Sequence, residues 1–304
     1  MALLENIQNQ HSDFLGTLAH RFLDEARISA LQKFENLGFP TKKDEEYKYT
    51  NLREITEKDY NFFPKEVHNI SKEQIAELHL GEENFDWIVF INGKLHKELS
   101  KVSIENAEFL SFNYALNDEK HKEVFDKYFN QIADDKLAFT NLNLAYAQNG
   151  FFLKVPKNTV IEKPIHVFYL SQNQEENTFY NTRNLLIVED GAKVEVIESH
   201  HNFDNHFVFT NSVTEIFVYP NAKADWHKLQ NDNDTSYFVD HTFAKQEKDS
   251  LATVNTFSFG GKLVRNNLDF IQNGENINSF MNGITVIGKE QLVDHHTAVH
   301  HNKP

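Results

Sequence analysis

The 304-residue sequence contains no cysteine, which removes disulfides, thiolate metal ligands and thiol nucleophiles from this chain at once. Any soft-metal chemistry must take its ligands from a partner. Positive charge is also short: 30 Lys and Arg stand against 45 Asp and Glu, a formal charge of −15. Such a surface repels phosphate backbones, so nucleic acid is not an expected partner. No apolar run approaches the roughly 18 residues that cross a bilayer, and the opening Met1-Ala2-Leu3-Leu4-Glu5-Asn6 lacks the basic-then-apolar order of a signal peptide. No membrane partner and a cytoplasmic location are expected. Nor is there a Gly-x4-Gly-Lys-Ser/Thr phosphate loop, so the chain is not itself a P-loop ATPase; Gly260-Gly261-Lys262 is too short a fragment and reads as a β corner.

What is present is apolar residue at 40%, enough for a sizeable core, with 27 Phe that would fill a narrow interior as stacked rings. Residues 1 to 37 place Phe14, Leu15, Leu18, Phe22, Ile28, Leu31 and Phe34 near helical intervals, and Gly38 and Pro40 stop the helix. Asp86 to Leu95 reads as a buried strand entering an Asn92-Gly93 turn. Residues 117 to 148 return to helix, with Asn117 or Asp118 as cap and Val124, Phe125, Tyr128, Phe129 and Ile132 as its stripe.

Past Asn149-Gly150 the pattern changes to short strands rich in Val, Ile, Phe and Thr. The corner Ile187-Val188-Glu189-Asp190-Gly191-Ala192-Lys193-Val194 recurs about thirty residues later as Ile216 to Ala224, and further corners follow at Lys248-Asp249-Ser250, Asn273-Gly274-Glu275 and Gly288-Lys289-Glu290. The spacing predicts a mainly β fold, a parallel β-helix (solenoid) over 151–304, preceded by an N-terminal helical and small mixed α/β region over 1–150.

The densest chemistry-capable cluster is Asp294, His295, His296, His300 and His301. Imidazoles invite a metal reading, and His296 and His300 are its candidates. Thr297 and Val299 make the segment a strand, which spaces those two about 13 Å apart at ~3.3 Å per residue, too far for one ion. The preferred reading of His295, His296, His300 and His301 is a partner-facing ladder. His200, His201, His206, His227 and His241 read as polar positions near corners. The acids Glu198, Asp225, Asp232 and Asp240 keep open an alternative, a stand-alone β-helix carbohydrate-active enzyme, although nothing in their spacing pairs them. Asp44-Glu45-Glu46, beside Lys42, Lys43 and Lys48, reads as a solvated face or a docking patch.

Several stretches together resemble one family. Gly38-Phe39-Pro40-Thr41 followed by Glu45-Glu46-Tyr47-Lys48-Tyr49-Thr50, then Arg183 leading into Gly191-Ala192, Phe257-Ser258-Phe259-Gly260-Gly261, Arg265-Asn266-Asn267-Leu268, and Asp294-His295-His296-Thr297 with His300 to Pro304, are similar to the SufB/SufD family of the Suf iron–sulfur cluster assembly machinery. The front signature favours the SufD branch. The resemblance implies a right-handed parallel β-helix acting as a non-catalytic scaffold, not an enzyme. Its implied partners are a SufB-like chain and the ABC-type ATPase SufC, with homodimers as a further form. It implies no cofactor on this chain alone, with an iron–sulfur cluster, and a reduced flavin, at the level of the complex. The family normally continues through more β-helix and a C-terminal helical segment, so the chain is expected to be truncated at its C-terminus. No counterpart of the family's Ser-His-Gly stretch is present, and no ligand residue is carried over.

Overall fold

Five successive corners of the β region need the same backbone conformation, and the sequence meets it each time with a residue that tolerates it. Asn158, Gly191, Asn221, Asp249 and Asn276 have φ of +59°, +68°, +59°, +59° and +54°, the left-handed region open to Gly and, at low cost, to Asn and Asp. This is the physical content of the corner repeat. Between those corners the chain climbs as a parallel β-solenoid of about five turns, seen in a computed structural model that describes residues 2–18, 22–65, 70–78, 85–172, 175–203, 206–288 and 290–303. Three residues used in the sequence reading, Met1, Lys289 and Pro304, lie outside the described residues.

The helical part comprises α1 (Ala2–Thr17), α2 (Asp24–Leu37), α3 (Arg53–Thr56) and α4 (Lys72–Leu78). The strands β1 (Asp86–Ile91), β2 (Lys94–Leu95) and β3 (Glu108–Ser111) follow, then α5 (Phe112–Asn117), α6 (Lys122–Tyr128) and α7 (Ala138–Ala145). The coils are β4 (Phe151–Val155), β5 (Ile165–Ser171), β6 (Thr178–Val188), β7 (Lys193–Asn202), β8 (Val208–Val218), β9 (Lys223–Asp232), β10 (Ser236–Gln246), β11 (Leu251–Gly260), β12 (Leu263–Gln272), β13 (Asn278–Val286) and β14 (Leu292–His301). Two sheets result, with strand orders β2-β1-β5-β7-β9-β11-β13 and β3-β4-β6-β8-β10-β12-β14. The Asn92-Gly93 hairpin forms as expected, with φ of +51° and +81°, and β1 lies parallel to β5 so that it extends the first sheet.

The two sheets differ in what covers them. In the first, β9 and β11 alternate between buried and partly exposed positions, because one face looks into the lumen and the other outward. In the second, β6 is buried at every position, because the helical region packs on its outer face. The Phe residues follow that division. Phe34, Phe39, Phe139, Phe179, Phe209 and Phe217 belong to the cluster between helices and sheet, whereas the lumen is packed mainly by Val, Leu, Ile and Ala around Trp226, Phe151 and Phe270. The expected stack of Phe rings inside the coils is therefore mostly outside them: two sheets facing each other leave room for Ala192, Ala222, Ala224, Ala244 and Ala252, not for a ring at every rung.

The two long helical stretches are each interrupted. Residues 1–37 form α1 and α2 rather than one helix, and Gly38, at φ +67°, donates its amide to Phe34 and ends the second. Residues 117–148 break at Asn130 (φ +59°), whose amide donates 2.8 Å to buried Glu215. A tertiary bond overrides helix periodicity there. Among the described residues no helix is long and apolar enough to cross a membrane.

Candidate functional site

Outward positions of β10, β12 and β14 build a groove against the N-terminal region, with a volume of about 200 Å3, bordered by Glu46, Tyr47, His241, Asp269, His296 and His300. The strand register explains the assembly: His241, Asn267 and His296 share one rung, and Asp269 lies two residues further along the middle strand. Asp269 accepts from His241 Nε2 at 2.5 Å and from His300 Nε2 at 2.9 Å. Burial alone would raise the Asp269 carboxyl, but those two imidazoles hold it below the usual carboxylate range. One carboxylate thus occupies the point at which two imidazoles meet, and among the described residues no three His, Asp or Glu side chains gather to hold a metal ion. His296 lies apart from His300, 3.7 Å from Glu46.

The His-rich ladder divides between two faces. His296 and His300 are on the groove, while His295, exposed on β14, points to the lumen side, where it meets Thr285 Oγ1 at 3.0 Å and Asn266 Nδ2 at 3.4 Å. Its pKa is lowered, by burial first and by Lys228 second. Alternation along a strand requires this split, and His301 falls on the same parity as His295.

The front signature docks on the same face. Arg265, 1% exposed, donates to the Glu46 carbonyl at 2.6 Å, to Asn267 Oδ1 at 2.9 Å and to Asp294, and its guanidinium lies 4.3 Å from the Tyr47 ring centroid. Thr50 donates to the same Asp294 carboxylate, and Tyr237 donates to Glu54 at 3.0 Å. The Glu45–Thr50 segment is thus a clasp between the two halves of the chain. A second clasp lies three coils earlier, where Arg183 and Glu215, both 0% exposed, pair at 2.6 Å.

Of the acids considered for a hydrolytic face, Glu198, Asp225 and Asp240 are each engaged by a basic neighbour. Glu198 and Asp240 are fully buried. Glu198 accepts from His200 Nε2 at 2.8 Å, and Asp240 accepts from Lys228. Asp225 pairs with Lys223 at 2.7 Å. Asp232 is raised, by burial first, and His201, which lines the same cavity, is lowered to about 4, by burial first and by His200 second.

Two family models divide the chain between them. One, described as the SufBD protein N-terminal region, matches residues 4–167, and the other, the SufBD core domain of the SUF system for FeS cluster assembly, matches residues 169–304. The chain belongs to the SufBD family. Among curated relatives, an iron–sulfur cluster assembly SufBD family protein of Synechocystis is 26% identical over 286 residues, covering 91% of this chain and 63% of that protein. The iron–sulfur cluster assembly protein SufD of Escherichia coli is 27% identical over 279 residues, covering 90% and 62%. SufD of Bacillus subtilis is 24% identical over 246 residues, covering 75% and 53%. The chain thus spans between about half and two-thirds of the length of these SufBD relatives. Within that span, Asp269 and Glu215 are the interaction centres that sequence reading passed over. A lone acid at an outward strand position carries no signal until its register neighbours are known.

His201 gives this SufBD chain a testable acid sensitivity. Its folded pKa lies below the 6.5 of an unfolded histidine, so the unfolded state takes up a proton first as pH falls. The stability is present above pH 6.5 and is lost between 6.5 and about 4, at a slope of up to about 1.4 kcal/mol per pH unit. Asp232, raised, works in the opposite sense, its share being present at low pH and lost as pH rises. Replacing His201 with Gln isolates the first effect. Urea unfolding at pH 7, 6, 5 and 4.5 is expected to show the variant falling less steeply than wild type, and parallel curves would remove His201 as the cause.

Proposed function

We propose that this SufBD chain is a non-catalytic scaffold subunit for iron–sulfur cluster assembly, pairing with a SufB-like chain and a SufC-like ATPase. The observation that carries the reading is the pair of clasps. Arg265 and Asp294 hold Glu46 and Thr50, and Glu215, paired with Arg183, holds the amides of Asn130, Ile132 and Ala133, so both clasps join the N-terminal region to a solenoid wall, while the chain has no thiol. A stiff wall presents strand edges and faces to a homologous solenoid. The histidines at 296 and 300, on the groove, are the docking residues that such a partner would meet. His295 and His301 would serve at the lumen side of the same coil.

The cluster itself is cargo, and its thiolate ligands would come from the partner. The residues here do not fit a cluster alone, because the nearest imidazoles are already bound to Asp269. We assign no residue to a flavin; a reduced flavin belongs to the assembled complex on this reading. Co-expression with SufB-like and SufC-like subunits is expected to yield one complex by size exclusion. The chain alone is expected to retain no stoichiometric iron, and its metal content is expected to be unchanged by His296→Ala with His300→Ala. Failure of the three chains to co-elute, or iron retained by the lone chain and lost in the double variant, would defeat the scaffold reading.

A further inference from the structure

One half of the solenoid lumen is polar, which is unusual for an interior between two sheets. Glu198 on β7 stands beside Lys228 on β9, and Ser212 on β8 beside Asp240 on β10. Lys228 belongs to the first sheet and Asp240 to the second, so the bond between them crosses the lumen. Lys228 also donates to Thr242 Oγ1 at 3.2 Å. Glu198, Ser212, Trp226 and Asp240 are each 0% exposed and Gln230 is 2% exposed.

These groups are only half satisfied by protein. Glu198 Oε2, Asp240 Oδ1, Gln230 Oε1, Ser212 Oγ and Trp226 Nε1 are all buried without a hydrogen-bond partner among the described residues. One orphan is tolerable in a fold, but five on neighbouring rungs, two of them carboxylate oxygens, would each carry a desolvation cost. One residue removed from them is a cavity of about 30 Å3 lined by Tyr169, Tyr180, Thr182, His200, Asp232 and Ser236. It touches His200, the partner of Glu198, and Asp232, the partner of Gln230. A space of this size exceeds the ~10–15 Å3 that one water requires.

We propose that the polar half of the lumen is a binding site for ordered water, a short internal file bridging Glu198, Gln230, Ser212 and Asp240. The donor set selects the occupant. An anion would face Glu198 and Asp240, and a cation would face the Lys228 ammonium and the Trp226 N–H, whereas water both donates to the orphaned oxygens and accepts from the indole. Each such water makes about three bonds, so on the order of two or three molecules satisfy the set. The site lets the solenoid hold charged groups in its centre without a protein partner for every oxygen.

A high-resolution crystal structure of the full chain tests this directly, with density expected within about 3.2 Å of Glu198 Oε2 and of Asp240 Oδ1. Empty density there, or an anomalous peak after rubidium replaces the buffer cations, would overturn the proposal. Ser212→Ala supplies a second readout that does not threaten folding. If the hydroxyl binds water, the melting temperature falls by about 1–3 °C and the adjoining density disappears. If the hydroxyl is a true orphan, removing it raises the melting temperature, and that result, or no change, counts against an occupied lumen.

Discussion

Replacing Arg183 with Ala is expected to cost about 3–5 kcal/mol of unfolding free energy, the range for breaking a buried ion pair from one side. The reason is what the variant leaves behind. Glu215 accepts the Asn130 amide at 2.8 Å on one oxygen, and the Ile132 and Ala133 amides at 3.0 and 3.3 Å on the other. Arg183 neutralises that carboxylate at 2.6 Å and also donates 3.1 Å to the Asn130 side chain, with its guanidinium 4.8 Å from the Phe129 ring centroid. Burial lowers the Arg183 pKa and Glu215 opposes that, so each charge depends on the other. Many buried ion pairs can be exchanged for apolar side chains at little cost. This one is expected to resist the exchange, because Arg183→Met with Glu215→Leu would strand three backbone amides whose only carboxylate is gone. Chemical denaturation of both variants decides the matter: a double variant as stable as wild type would show that the amides find other partners.

Those same amides explain what was and was not legible in the sequence. The solenoid could be read because its determinant is local. Gly191, Asn221 and Asp249 each supply a left-handed corner, and β runs flank them. The Asn92-Gly93 hairpin was readable for the same reason. The break at Asn130 was not, because the residue that causes it, Glu215, lies 85 positions away. Nor was the destination of the Phe residues: a helix-facing and a lumen-facing Phe have the same local pattern, and only the packing of α7, backed by α2, on the second sheet separates them. The His-rich strand shows both limits at once. Its strand character was legible from Thr297 and Val299, whereas Asp269, which engages His300 and His241, became visible only when β10, β12 and β14 fell into register.

The second large effect is expected at Arg265, where the two ends of the family signature meet. Arg265→Ala removes bonds to Asn267, to the Glu46 carbonyl and to Asp294, together with the stack on Tyr47. Among the described residues Asp294 then keeps only the Thr50 hydroxyl, and a loss of about 3 kcal/mol or more is expected for an uncompensated, partly buried charge. Asp294 is 28% exposed, so the segment around Glu45–Tyr47 can relieve that cost by detaching from the sheet. Detachment has its own signature: protease cleavage within residues 41–50 should appear in the variant while the β coils stay protected. Arg265→Lys distinguishes charge from geometry. An ammonium keeps the attraction to Asp294, but it cannot present a planar fork to three acceptors or lie flat on a tyrosine ring, so roughly half of the loss should remain. If Arg265→Ala unfolds within about 0.5 kcal/mol of wild type and residues 41–50 stay resistant, the clasp is not what holds the helical region to the solenoid. Docking must then rest on the Phe cluster formed by Phe34, Phe39, Phe139 and Phe209.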